Sequence, residues 1–126
     1  MKNIIITGGE LFNKGAQAMT FIAVDEMKRR FPDHRILVLS EMDLERPEEE
    51  RRQYAFTLTG WYPHKFAKAQ RRPLLRILCL LRSRSEFLAA EEIYRNTDLM
   101  IDSSGYALGS NWSAATCNRY LDHIEF

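Results

Sequence analysis

Residues 3 to 8, NIIITG, are a run of β-branched apolar positions closed by glycine, the pattern of a parallel strand buried on both faces. From Ala16 to about Phe31 the apolar positions take helical spacing. Ala16, Met19, Ile22, Ala23 and Met27 share one face, while Asp25, Lys28 and Arg29 are polar. Lys28, Arg29 and Arg30 fall in the last turn, where positive charge complements the helix dipole, and Pro32-Asp33 ends the helix. RILVLS, 35 to 40, is a second buried strand. Together these segments make one βαβ unit, right-handed by the general rule for parallel crossovers.

The pattern then turns polar. Residues 41 to 53, EMDLERPEEERRQ, carry six acids and three arginines and read as a solvated loop with a short helix. YAFTLTGW, 54 to 61, alternates as a third strand does. Residues 61 to 84 hold seven Lys or Arg and no acid, interleaved with Leu74, Leu75, Ile77, Leu78, Leu80 and Leu81. Glu86 to Arg95 is again helical and more acidic. DLMIDSSG, 98 to 105, is a further buried strand closed by a Ser-Ser-Gly turn, and a last helix begins near Ser113 with Ala114, Cys117, Leu121 and Ile124 on one face. Such an α/β series normally continues into another strand, which predicts that the chain is the N-terminal piece of a longer protein.

Composition narrows the class without choosing a partner. At 126 residues, 45% hydrophobic and 28% charged with a net charge of +1, the chain has the length of one domain and the balance of an ordinary globular protein. The N-terminus lacks the charged and apolar regions of a signal peptide, and LLRILCLL at 74 to 81 falls well short of the roughly 20 apolar residues of a spanning helix. The expected compartment is the cytoplasm, so the NWS sequon at 111 to 113 is read as accidental. Cys79 and Cys117 belong to no CxxC or Cys/His cluster; they read as free thiols, and no zinc site is expected.

Two loops at strand ends carry the candidate chemistry, because ligands of open parallel sheets gather where the strands' carboxyl ends diverge. The first runs through Gly8, Gly9, Asn13, Lys14 and Gly15 into the first helix, whose free N–H groups favour an anion. The second holds Ser103, Ser104 and Gly105, followed by Tyr106, Gly109, Ser110, Asn111 and Trp112. Neither matches GxGxxG or GxxxxGK[ST], so a nucleotide fingerprint is not supported. A Ser103–His123–Asp102 triad lacks the GxSxG elbow, and His34 and His64 stand near no nucleophile. Asp98 and Asp102 flank one strand four residues apart and read as capping or turn residues before they read as a metal pair. The basic segment 61 to 84 reads first as an amphipathic helix packing its leucines on the sheet. A peripheral contact with anionic lipid is the second reading, and nucleic-acid binding lacks supporting fold signals.

GGELFNKGAQAM and DLMIDSSGYALGSNW together resemble the N-terminal half of the polysaccharide pyruvyl transferase family. Asn13, Lys14, Gly15 and Gln17 match the family's first loop, and Asp98, Ser103, Ser104 and Gly105 match the second. Ala16 stands where many members carry an acid, and Ser103-Ser104 where many carry Gly-Gly.

The resemblance implies an α/β, Rossmann-like parallel sheet over residues 1–126, the N-terminal half of a GT-B-like two-domain architecture with a cleft between the halves. It implies transfer of a pyruvate ketal from phosphoenolpyruvate to a sugar of a cell-surface polysaccharide. The acceptor is then a glycan or lipid-linked sugar, phosphoenolpyruvate is the donor substrate, and no metal or organic cofactor is required. Cationic groups would hold phosphate and carboxylate while an acid protonates the donor's methylene carbon. The family's catalytic histidine and donor-binding arginines lie in its C-terminal domain and match nothing here, so the chain alone is expected to be inactive. The competing expectations are the acceptor half of a GT-B glycosyltransferase and a stand-alone flavodoxin-like binding module.

Overall fold

The computed structural model of the protein describes residues 1–60, 72–82, 84–103 and 113–115. Four parallel strands, β1 (Asn3–Thr7), β2 (Arg35–Leu39), β3 (Thr57–Thr59) and β4 (Thr97–Asp102), form one sheet in the order β3-β2-β1-β4. This is the Rossmann-like α/β arrangement. Between the strands lie α1 (Lys14–Arg30), a 3-10 turn at Met42–Glu45, the single-turn α2 (Glu48–Arg51), α3 (Pro73–Arg82) and α4 (Arg84–Arg95). Ser113 is followed by helical Ala114 and Ala115; the rest of the expected last helix lies outside the described residues.

Strand order explains the run of isoleucines. β1 is central, with Ile4, Ile5 and Ile6 facing Ile36, Leu37 and Val38 on one side and Leu99, Met100 and Ile101 on the other. Alternation along the strand then sends Ile4 and Ile6 to one layer and Ile5 to the other. The first layer, with Val24, Ile36, Val38 and Phe56, receives Phe21, Ala23 and Met27 of α1. The second, Ile5 with Leu37 and Leu39, receives Ile93 and Tyr94 of α4. A sheet with helices on both faces must be apolar on both, which is why β1 and β2 do not alternate in hydropathy.

β4 differs from the sequence expectation. Only one side of it is paired among the described residues, and Leu99 is exposed, so it is a half-buried edge strand rather than a buried one. β3 is likewise shorter than the alternation of 54 to 61 predicts. Tyr54 and Phe56 precede it; their rings stack on each other at 5.1 Å and lie tilted against Phe21 of α1, at 6.3 and 6.1 Å.

The buried face of α1 is also rotated from the one the apolar spacing predicts. Ala16, Thr20 and Val24 are buried, while Ile22 is 68% exposed and Met19 is exposed too. Close approach decides this. A Cβ on Gly9 would meet Thr20 Oγ1 at 3.0 Å and Val38 Cγ1 at 3.1 Å, so the helix leaves room only for small residues where it crosses the end of β1. Thr20 tolerates burial because its hydroxyl donates to the Ala16 carbonyl at 2.9 Å.

The segment 73–82 does not pack its leucines on the sheet. α3 has no buried residue and touches α4 instead, through Cys79 and Leu80 against Phe87, Ala90 and Tyr94. Glu91 receives Arg76 of α3 at 3.0 Å, which ties α3 to α4, and Arg95 of its own helix at 2.9 Å. Cys79 is a free thiol, as expected; Cys117 and His64 lie outside the described residues. Among the described residues no helix is long and apolar enough to cross a membrane.

Tyr94 belongs to both the α3–α4 cluster and the sheet layer beneath it. Burial pushes its phenol well above the ordinary tyrosine value. A group whose folded pKa is raised contributes stability that is complete below the unfolded pKa, about 10, and is lost as pH rises above it. The chain should therefore lose stability to urea above about pH 10, and Tyr94→Phe should flatten that alkaline slope while keeping the ring's packing. Urea midpoints across this range, for both proteins, check it.

Candidate functional site

In the order β3-β2-β1-β4 the chain winds outward from β1 in one direction, then returns to place β4 on the other side of β1. The loops leaving β1 and β4 therefore diverge from neighbouring strand ends, the position at which open α/β sheets bind ligands. Both sequence-singled loops begin here. Thr7 pairs with Asp102, the Ser103 N–H donates to the Thr7 carbonyl at 2.8 Å, and the Ser103 hydroxyl donates to the same carbonyl at 2.9 Å. The Thr7 hydroxyl bridges back to Asp102 Oδ1 at 3.3 Å.

From Thr7 the chain turns sharply. Gly8 adopts a φ of 66°, the left-handed region that disfavours a side chain, and Gly9 is pressed against Thr20 and Val38. Asn13 then caps α1: its Oδ1 accepts from the Gly15 N–H at 2.8 Å, and its carbonyl accepts from the Gln17 N–H at 2.8 Å. α1 thus starts at Lys14, two residues before the helical spacing predicts. Lys14 and Gly15 are exposed at the helix N-terminus and Gln17 is half-buried behind them. Ser104 and Gly105 lie outside the described residues, as does His123 of the weighed triad. Ser103 itself is engaged with the backbone rather than with a base.

What holds the first loop in place comes from outside both candidate loops. The segment 41 to 53 reads as solvated, yet the Asp43 side chain is fully buried. Its Oδ2 accepts from the Leu11 N–H at 3.0 Å and from the Ser40 hydroxyl at 2.6 Å, and its Oδ1 from Arg46 Nε at 2.7 Å. Arg46 continues to Glu50, and Glu50 accepts from the Tyr54 hydroxyl at 2.7 Å. Asp43 and then Glu50 hold the guanidinium more firmly in its charged form, while Tyr54 and then Arg46 hold the Glu50 carboxyl below the ordinary range. The Arg46 guanidinium also stacks 4.8 Å from the ring centre of Phe12, which stays 57% exposed. The signal for this network is Ser40-x-x-Asp43 directly after an apolar strand, the spacing of a capping box.

Asp98 and Asp102 prove to serve opposite ends of β4. At the amino end, Lys2 Nζ lies 2.7 Å from Asp98 Oδ1 and His34 Nε2 lies 3.1 Å from Asp98 Oδ2. Lys2 and, second, His34 hold that carboxyl below its usual range. Asp98, which the sequence resemblance grouped with the second loop, is an ion-pair residue at the opposite end of β4 from the two loops. Among the described residues no group of His, Cys, Asp or Glu is placed to hold a metal. Two open depressions, of about 420 and 640 Å³, also lie toward the amino end, and neither is lined by a candidate loop residue.

The site is a preorganised strand-to-helix loop beside a hydroxyl-bearing strand end. It offers backbone N–H groups, the Lys14 ammonium, the Gln17 amide and one face of an aromatic ring. Compared with protein-family models, with curated proteins and with solved structures, the chain matches none.

Asp43→Asn turns an amide toward donors that expect a carboxylate, and should cost about 3 kcal/mol of stability, the scale of a broken buried ion pair. Urea unfolding measures the loss, and faster amide exchange at Leu11 would place it in the loop. Gly8→Ala, which puts a side chain on a left-handed backbone, should cost at least about 1 kcal/mol.

Proposed function

We propose that the chain is the acceptor-binding half of a polysaccharide pyruvyl transferase, with a second domain supplying the donor site. The observation that carries this reading is the adjacency of the Gly8–Gln17 loop and the Ser103 end of β4 at the switch point of the sheet. These are the two stretches on which the family resemblance rests. The chemistry of the edge suits a sugar. Hydroxyl-rich ligands need neutral donors and acceptors such as Gln17 and exposed backbone amides, and the apolar face of a pyranose suits an exposed ring such as Phe12.

In this reading the loop holds the glycan so that one hydroxyl points into the cleft. The partner domain holds phosphoenolpyruvate through cationic groups and supplies the acid that protonates its methylene carbon. The resulting electrophilic carbon is attacked by the acceptor hydroxyl, phosphate departs, and a second hydroxyl closes the ketal. A GT-B-like pairing of two Rossmann-like halves around the cleft, a cytoplasmic setting and the absence of a required cofactor belong to the same proposal.

The division of labour gives a test. Titrating the labelled chain with mannose-, glucose- and galactose-terminated disaccharides should shift the amides of Gly8, Gly9, Asn13–Gln17 and Ser103, with dissociation constants of about 1 mM or weaker, as expected of half a site. Phosphoenolpyruvate should leave those amides unmoved. Shifts from phosphoenolpyruvate but from no sugar would overturn the assignment of this half to the acceptor.

A further inference from the structure

α3 carries an apolar face that no other element covers among the described residues. Leu74, Ile77, Leu78 and Leu81 stand at i, i+3, i+4 and i+7, one stripe of a helix. Leu74 is 82% and Leu81 81% exposed, and Ile77 and Leu78 are exposed as well. The opposite side, with Cys79, Leu80 and Arg76, is the one held to α4, so the stripe points away from the sheet. Leaving four large apolar side chains in water forgoes the burial that usually makes a helix of this length stable in a protein.

The charge around the stripe selects its occupant. From Trp61 to Ser85 the sequence has seven Lys or Arg and no carboxylate, in a chain whose net charge is only +1. Arg72, Arg82 and Arg84 bracket the stripe, and all three are exposed. Arg82 lies beside Leu78 and Leu81 in helical projection, where its stem can follow the apolar surface while its head stays in water. An apolar stripe framed by cations fits a surface that is apolar within and anionic at its boundary.

We propose that α3 docks the protein on an anionic membrane surface, lying in the plane of the headgroups with Leu74, Ile77, Leu78 and Leu81 immersed. The contact is peripheral: the helix is ten residues long, far too short to span. The Arg76–Glu91 bond and the packing of Cys79 and Leu80 on Phe87 and Ala90 set its orientation, because they keep the back of the helix on α4 and leave the stripe outermost. This surface is independent of the proposed transfer reaction, and either can fail without the other.

Flotation of the whole chain with vesicles tests it. Vesicles of phosphatidylcholine with about one-third phosphatidylglycerol should carry the protein at about 0.1 M salt, and phosphatidylcholine alone should not. Leu74→Glu with Leu81→Glu should lower the partition coefficient at least about tenfold. Because both side chains are exposed, the urea midpoint should stay near that of the parent. Arg82→Glu is the milder second variant and should weaken binding severalfold, with the remainder lost as salt rises. No flotation with the anionic vesicles, or equal flotation of the leucine variant, would overturn the proposal. So would a dimer in solution that the leucine substitutions disperse while vesicle binding is absent, since a second copy would then be what covers the stripe.

Discussion

The carboxylate of Asp43 is the constraint on which the candidate site depends. It is fully buried, and it receives the Leu11 N–H, the Ser40 hydroxyl and the Arg46 guanidinium, so every one of its contacts is charge-assisted. These three donors come from the loop after β1, the end of β2 and the turn beyond it. Leu11 is pinned twice, by its amide on Asp43 and by its side chain in the layer with Ile4 and Val24. Phe12 is pinned by the stacked Arg46. The chain therefore reaches Asn13 in one position, and the cap that Asn13 forms sets where the first free amides of α1 point. A loop left to itself would sample many conformations. This one carries its ordering cost within the fold, which is the condition for binding a weakly interacting ligand at all.

The elements were legible where a local period and the burial agreed. NIIITG and RILVLS are central strands because both faces of the sheet are covered, and uninterrupted apolar runs report that situation directly. The position of α1 was legible too, but its buried face was not. Hydropathy favours Met19 and Ile22, whereas the close approach at Gly9, where a Cβ would lie 3.0 Å from Thr20 Oγ1, favours small residues. Clearance is a tertiary property, and no window of sequence contains it. β4 misled in the opposite way: an apolar run fits an edge strand as readily as a central one until the strand order is known.

The site was half legible. Strand-end glycines and a Ser-rich turn marked the two loops, and the parallel topology brought the start of each to neighbouring strands, as such sheets require. Asp43 escaped because it stands among six acids of a polar stretch and only one of them turns inward. What separates it from its neighbours is distance to the Leu11 amide, thirty-two residues away. Asp98 shows the same gap between pattern and place: a match in sequence became an ion pair with Lys2 at the far end of its strand.

The position of β4 has a consequence for the order of folding. β1 and β2 pair in parallel across the single crossover helix α1, so a search within one βαβ unit suffices for them. The other edge of β1 waits for a strand some ninety-five residues further along, as the Thr7–Asp102 contact shows. Closing so long a loop is slow compared with forming α1 and the β1–β2 pair. On the ribosome, a central strand of the sheet is therefore made early and completed late. Its edge toward β4 stays open throughout that interval, leaving Ile4, Ile5 and Ile6 available for strand addition by another chain.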